Sequence, residues 1–306
     1  MAGLGDRPTA TWRTVDVGDW VTRAGRVQDE PLGTKEKFWV DAPDGVRWLF
    51  KAARSNSGRI VGEDWAEWLV CRLANLIGVP AAVVEPAEHN GRRGIVSRSV
   101  LRPGGRLEHG NELLSQADVD FDGSLQRYND RYTVALVQVA LEGSGPPSGW
   151  TELAGQTAFD VWAGYLLLDA WAAGRDRHPR NWAVEELARD RTLAPSFDHG
   201  NALGFQEPAE RHAELAADPV ALDRWARRGV SPHFLGKPRL TVLAAAAADA
   251  SAATAGRYWR GRLEAVADRE VAELLQAVPT SILSEGGRNF CQALLDLNRR
   301  RVLDGD

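Results

Sequence analysis

Asp176, Asn181 and Asp198 are the residues of this 306-residue chain whose types and spacing best fit a reaction centre. The first two stand in Gly174-Arg175-Asp176-Arg177-His178-Pro179-Arg180-Asn181-Trp182. The third follows a short predicted hairpin, in Pro195-Ser196-Phe197-Asp198-His199-Gly200. An Asp, an Asn five residues on and a second Asp form the acidic set that phosphoryl transfer needs. One carboxylate, Asp176, orients an attacking hydroxyl and accepts its proton, while Asn181 and Asp198 hold divalent ions that bridge nucleotide phosphates. Carboxylate and amide oxygens suit magnesium, and two ligands are too few to cage it, so the phosphates complete its shell. Asp176 alone fits a solvated charged loop as well as a catalytic one; the joint spacing favours the site.

Two further residues belong to that chemistry. Lys51 ends a predicted strand beside the apolar Leu49 and Phe50, where an ammonium can neutralise nucleotide phosphates, and an acid from a nearby helix would fix it. Glu67 suits that role, because it flanks the apolar stripe of the next predicted helix, whereas Glu63 and Asp64 read as first-turn acids complementing the helix dipole. The turn containing Gly33, Thr34 and Lys35 places backbone amides and a cation before the first strand and is a weak candidate for covering the phosphates. His178 is expected to brace the catalytic loop by hydrogen bonding, and His199 the turn at Asp198. The six histidines show no ligand-spaced pair, so no metal site is read from them.

The elements that must position these groups fall into two parts. Predicted strands 37–41 and 46–51 flank a Pro-Asp-Gly turn, a helix runs over 63–77 to Gly78 and Pro80, and strands follow at 82–84 and 94–101, with a turn at Asn90-Gly91. Beyond Pro103-Gly104-Gly105 the pattern is mainly helical, with helices over 133–142, 157–173, 209–216, 220–228, 244–255, 257–277 and 285–302. Short strands at 182–184 and 193–197 interrupt them at the acidic set. A β-rich first third joined to a helical remainder predicts two lobes, 1–102 and 103–306, with a cleft between them.

Hydrophobic content of 44% with 26% charged residues describes a soluble globular protein, and a net charge of −5 gives no bulk signal for nucleic acid. The start of the chain shows no signal-peptide pattern, and the most apolar stretch, 159–173, is short and broken by Asp160 and Asp169, so no membrane segment is expected. Cys71 and Cys291 are the only cysteines, which suggests a reducing compartment, the cytoplasm. The twelve tryptophans are read as core.

Together these residues resemble the HipA-like family of bacterial kinases, which are distantly similar to the phosphoinositide kinases. The resemblance is carried by Gly33-Thr34-Lys35-Glu36-Lys37-Phe38-Trp39, by Trp48-Leu49-Phe50-Lys51 with Glu63-Asp64-Trp65-Ala66-Glu67, and by the segments around Asp176 and Asp198. His109-Gly110-Asn111-Glu112-Leu113-Leu114 also looks like a family segment. It implies an α+β, bilobal protein-kinase-like fold, an antiparallel-sheet N-lobe with one main helix above a mostly helical C-lobe. It also implies ATP and Mg2+, with transfer to a serine or threonine hydroxyl of a protein. Asp176 would be the base, Asn181 and Asp198 the magnesium ligands, Lys51 the phosphate clamp paired to Glu67, and Ser97 to Arg102 the adenine-reading hinge. The order Asp-Arg-His, in place of the His-Arg-Asp of common protein kinases, is that of the HipA and phosphoinositide branches. Full-length HipA toxins carry a β-rich subdomain before the glycine turn that engages a DNA-binding antitoxin. Only about thirty residues precede Gly33 here, which sets antitoxin pairing in doubt. Autophosphorylation at Ser55 or Ser57 is a further expectation of the family. Two alternatives stay open: a small-molecule or lipid hydroxyl as acceptor, and a nucleotide-binding pseudokinase that acts through a partner.

Overall fold

Short apolar, aromatic-rich runs within 37–41 and 47–52 make two paired strands. The computed structural model describes residues 11–22, 37–56, 58–125, 127, 129–152 and 154–305 and builds a six-stranded sheet around that pair. The first elements are β1 (Val15–Asp16), β2 (Val21–Thr22), β3 (Lys37–Asp41) and β4 (Arg47–Ala52). A small ribbon, β5 (Ser55–Asn56) with β6 (Arg59–Ile60), leads into helix α1 (Glu63–Ile77), and β7 (Val84–His89) and β8 (Arg92–Arg98) follow. The spatial order is β1-β7-β8-β4-β3-β2. All pairs are antiparallel except β1 with β7, which is parallel through Val15↔Ala87 and Asp16↔Glu88. The wholly antiparallel sheet expected from sequence is corrected by this edge, which two residues are too few to announce by alternation.

Turn chemistry fixes the register. Asn90 and Gly91 have φ of 50° and 74°, the two left-handed residues of a hairpin whose twist matches its strands. Lys51 lies opposite Ile95, and Ala52 opposite Gly94. A Cβ on Gly94 would collide with the carbonyl oxygen of Lys51, so glycine lets β8 lie against β4 at that point. Helix α1 ends at Gly78 in the left-handed conformation, its N–H returned to Ala74 and Asn75.

The rest of the chain supplies β9 (Arg106–His109), α2 (Gly110–Ala117), α3 (Val134–Ala140), α4 (Ala158–Ala172), a 3-10 turn at Pro179–Asn181, β10 (Ala183–Leu187) and β11 (Asp190–Leu193). Then come α5 (Ala209–Ala217), α6 (Pro219–Ala226), α7 (Leu240–Ala250), α8 (Ala253–Glu264), α9 (Asp268–Ala277) and α10 (Glu285–Asp304). Strands β9, β10 and β11 form a separate antiparallel sheet with β10 in the middle. The single helix expected over 257–277 is two, because the chain leaves helix at 265–267 and α9 restarts with Glu270 bonded to the Ala267 amide. The helix expected over 244–255 likewise divides between α7 and α8. The strand expected over 193–197 ends at Leu193, and Ser196 makes only an isolated bridge with Ala81. The strand at 82–84 begins two residues later, at Val84.

One large core runs from α1 into the helical half. Trp65, Trp68, Leu69, Leu73 and Ile77 of α1 belong to the same cluster as Trp162, Trp171, Trp259 and Phe290. The sheet has its own smaller cluster around Phe50, Ala87 and Val96. Helix α4 is buried at every position, as a helix apolar on all sides must be, and Thr157 and Asp160 cap it reciprocally. Among the described residues no helix is long and apolar enough to cross a membrane.

Candidate active site

The site begins where α4 stops. Ala173, at φ 54°, closes the helix, and the Gly174 N–H donates to Asp169 O at 2.7 Å, turning the chain into the Asp176 loop. Asp169 is an acid inside an apolar helix, and a buried charge needs a partner. Arg177 provides it: Nε and Nη2 donate to the two carboxylate oxygens at 2.8 Å each. The third arm, Nη1, donates to Asn181 O at 2.9 Å. The Tyr132 hydroxyl donates to Arg177 O at 3.1 Å and accepts from Trp182 Nε1 at 3.0 Å. Burial works against the Arg177 charge, but Asp169 outweighs it and holds the guanidinium protonated. This buried lattice grips the backbone on both sides of Asp176 while leaving its side chain one-third exposed.

Asp176 Oδ1 lies 2.9 Å from His233 Nε2. An ionised carboxylate only accepts, so Nε2 carries the proton. Burial acts to raise the Asp176 carboxyl, but the His233 hydrogen bond, with His178 beside it, more than offsets this, and its pKa falls below the ordinary carboxylate value. Asn181 Nδ2 donates to the main-chain oxygen of Asp176 at 2.7 Å, which fixes the amide and directs its oxygen to the other side of the group. His178 Nδ1 accepts the Arg180 N–H at 3.1 Å and so caps the 3-10 turn that carries Asn181. Burial pushes the His178 pKa down to about 4, leaving a neutral ring edge-on to His233 at 5.3 Å between centroids.

The second half of the site is an ion triad. Lys51 Nζ donates to Glu67 Oε1 at 2.9 Å and to Asp198 Oδ1 at 3.0 Å. Burial opposes the ammonium, yet Asp198 and Glu67 together raise its pKa, so it stays charged. Asp198 sits at φ 61°, a left-handed conformation in which Asp is commoner than most residues. The loop before it is stitched to the sheet side: Ser196 N–H donates to Pro80 O and Ala82 N–H to Ser196 O, both at 2.8 Å. His199 and Ser196 meet side chain to side chain at 2.9 Å, and burial pushes the His199 pKa down to about 3.

The structure therefore brings Lys51, Glu67 and Asp198 into direct contact and gathers Asp176, His178 and Asn181 in one loop. A cavity of about 10 Å³, lined by Asp169, Asp176, Arg177, Asp198, His199 and Asn201 among others, joins the two groups; one water fills such a space. Gly33, Thr34, Lys35 and Ser57 lie outside the described residues. Ser55 is exposed on the β5–β6 ribbon. The segment from Ser97 to Arg102 leaves β8 and is fastened by Arg102, whose N–H and Nε donate to Glu185 at 2.6 and 2.7 Å. Sequence reasoning did not single out His233, Arg177 or Tyr132 and assigned Asp169 no role beyond interrupting an apolar run. For Asp169 a signal existed, an acid within an otherwise apolar helix. For His233 there was none, since nothing in Ser231-Pro232-His233-Phe234 ties it to a residue 57 positions earlier.

Among the described residues no group of three or more His, Cys, Asp or Glu is placed to hold a metal. Asn181 and Asp198 offer amide and carboxylate oxygens, the donor types that suit a hard ion whose shell is largely completed by a phosphorylated ligand.

This fold has a counterpart in a solved kinase. The chain superposes on the Helicobacter pylori proinflammatory kinase CtkA with a TM-score of 0.72 over 96% of each chain, at 13% sequence identity. At that identity the likeness is one of fold, a mixed α+β arrangement such as the sequence resemblance implies. HipA of Shewanella oneidensis MR-1, solved in complex with HipB and operator DNA, is matched at a TM-score of 0.45 and 13% identity, over 84% of this chain and 60% of that one. No protein-family model and no curated protein matches the sequence.

Proposed function

We propose that this chain is an ATP- and magnesium-dependent kinase that transfers the γ-phosphoryl group to a serine or threonine hydroxyl of a protein. The observation that carries the reading is the Lys51 triad, an ammonium held between Glu67 of α1 and Asp198 at 2.9 and 3.0 Å, assembled beside the Asp176 loop. In this reading 1–102 forms an upper lobe and 103–306 a lower one, with the nucleotide between them.

Asp176 takes the proton of the attacking hydroxyl. Its lowered pKa keeps it ionised and able to accept that hydrogen bond at neutral pH. Lys51 neutralises phosphate charge and is kept in place by Glu67. Asn181 and Asp198 would hold magnesium, which when bound supplies charge neutralisation at the phosphates. Gly33, Thr34 and Lys35 join the reading from sequence, as a turn covering the phosphates. The Asp169–Arg177–Asn181 lattice prevents the loop from relaxing, and a placed base gains its rate advantage from such rigidity.

The test is incubation of the full chain with magnesium and γ-labelled ATP, alone and in a bacterial lysate. Label is expected on the chain or on lysate proteins, and Asp176→Asn should abolish it while keeping the ATP-induced rise in Tm. Wild-type protein that is stabilised by ATP yet labels nothing would overturn the reading in favour of a nucleotide-binding pseudokinase.

A further inference from the structure

The loop between α6 and α7 lies outside the acidic set, yet it is built against it. Val230 and Arg239 pair as an antiparallel bridge, and the Ser231 N–H donates to Pro238 O at 2.9 Å, closing a loop over 230–239. Three bonds fasten that loop to the catalytic region. Arg175 Nε donates to Val230 O at 3.0 Å, His233 Nε2 to Asp176 Oδ1 at 2.9 Å, and the Leu235 N–H to Tyr132 O at 2.9 Å. Its distance from Asp176 is therefore fixed by construction.

Its charge is opposite to that of the chain. The protein carries a net −5, but between Asp223 and Asp249 there is no acid, while Arg224, Arg227, Arg228, Lys237 and Arg239 all fall there. Asp223 is itself bonded by Arg227 at 2.8 Å. Arg131, the residue before Tyr132, is bonded to Asp118 and Asp120. Arg175, Arg228, Lys237 and Arg239 are exposed, as is Leu235. Nucleotide phosphates already have their cation in Lys51, on the Asp198 side of the site. The loop that carries Lys237 and Arg239 is bonded instead to Asp176 through His233, and Arg175 directly precedes Asp176, where the acceptor hydroxyl must arrive.

We infer that the 230–239 loop with Arg175 is the acceptor-docking surface and that the acceptor is an acidic peptide segment, a hydroxyl residue set among Asp and Glu. The inference rests on the kinase reading of Asp176. Exposed ion pairs are individually weak, so the recognition is a sum over several, strongest at low salt. Leu235 offers one apolar contact, too little to insert into a bilayer, and the net negative charge opposes approach to an anionic membrane.

Three peptides of one length and one central serine, flanked by Asp/Glu, by Ala/Gly or by Lys/Arg, would be offered to the full chain at two salt concentrations. The acidic peptide is expected to have the highest kcat/KM, on the order of tenfold above the neutral one, with the gap narrowing at high salt. The double variant Lys237→Glu/Arg239→Glu, both positions being exposed, is expected to reverse the order. Should that variant fail to fold, the wild-type ranking and its salt dependence decide alone. Equal labelling of the three peptides overturns the docking inference and leaves the kinase reading standing. Preferential labelling of phosphatidylinositol vesicles overturns it in favour of a lipid acceptor. ATP-induced stabilisation without transfer to any acceptor, or to the chain itself, overturns both.

Discussion

His233 Nε2 donates to Asp176 Oδ1 at 2.9 Å, joining a ring that is 2% exposed to a carboxylate that is one-third exposed. The two residues come from different elements, the entry to α7 and the exit from α4. A base on a loop loses effectiveness when its carboxylate can rotate, because the accepting oxygen must meet the hydroxyl at hydrogen-bond distance. His233 occupies one oxygen and thereby directs the other. It also lowers the carboxyl pKa by favouring the charged form.

Replacement of His233 should therefore be read in the chemistry and not in nucleotide binding. His233→Ala is expected to lower kcat on the order of tenfold, roughly the worth of one charge-assisted hydrogen bond, with the KM for ATP little changed. Without the donor the Asp176 pKa rises, so the acid limb of the pH–rate profile moves to higher pH. His233→Gln, which keeps an N–H donor, should recover part of both effects. A pH profile identical to wild type would make His233 a packing residue only.

How much of this was legible beforehand depended on whether a signal was local. Asp176, Asn181 and Asp198 stood out in sequence because phosphoryl-transfer chemistry would fix their types and their spacing along one strand-and-loop segment. The pairing of Lys51 with Glu67 was legible because strand end and helix flank are readable from periods of two and 3.6. The β7–β8 hairpin followed from Asn90-Gly91. What escaped was nonlocal or too short. The parallel edge at β1 rests on two residues, the break between α8 and α9 on a restart that a continuing apolar pattern hides, and His233 on a tertiary contact without a motif. The turn Arg102–Gly105, with Glu185 on the Arg102 amide, was legible as a break but not as a fastening.

The Lys51–Glu67 pair lends itself to a double-mutant cycle. Their side chains are 13% and 5% exposed, so removing one partner leaves the other buried and uncompensated. Lys51→Met should lower stability by about 3 kcal/mol, within the range seen when buried pairs are broken, and abolish transfer. Lys51→Met with Glu67→Gln should recover much of the stability and none of the activity, because the phosphate cation is still missing. Urea denaturation of the four proteins measures the coupling, and additive single effects would show that the pair does not act as one.

Acid sensitivity follows from the two neutral histidines. His178 and His199 have folded pKa values pushed down by burial to about 4 and about 3, against 6.5 when unfolded. Between these limits the unfolded chain binds more protons than the folded one, so stability falls as pH drops below about 6.5 and is fully present above it. The loss should reach a few kcal/mol by about pH 4. His199→Asn removes one titrating ring from the window, and its midpoint in urea should decline less steeply between pH 6.5 and 4 than that of wild type. Parallel slopes for the two proteins would mean that His199 is not held neutral.

Asp198 separates backbone from chemistry most cleanly. Its φ of 61° is left-handed, where Asn is accepted about as readily as Asp, while a β-branched residue is a strong outlier. Asp198→Asn should therefore keep the loop and the Tm close to wild type, since the carboxylate lost is 40% exposed and its pairing with Lys51 is screened. Asp198→Val should lower the Tm, by strain of about 1–2 kcal/mol, because a β-branched side chain crowds the left-handed backbone and lacks the local hydrogen bonding that lets Asp and Asn adopt it. Both should lose phosphoryl transfer by a hundredfold or more, in line with removal of a charged transition-state stabiliser. The readout that isolates the metal role is nucleotide-induced stabilisation with and without magnesium. Wild type should gain Tm from ATP more strongly when magnesium is present, and Asp198→Asn should gain the same from ATP in either case. A variant that still responds to magnesium as wild type does would remove Asp198 from the metal site and leave it as the partner of Lys51 alone.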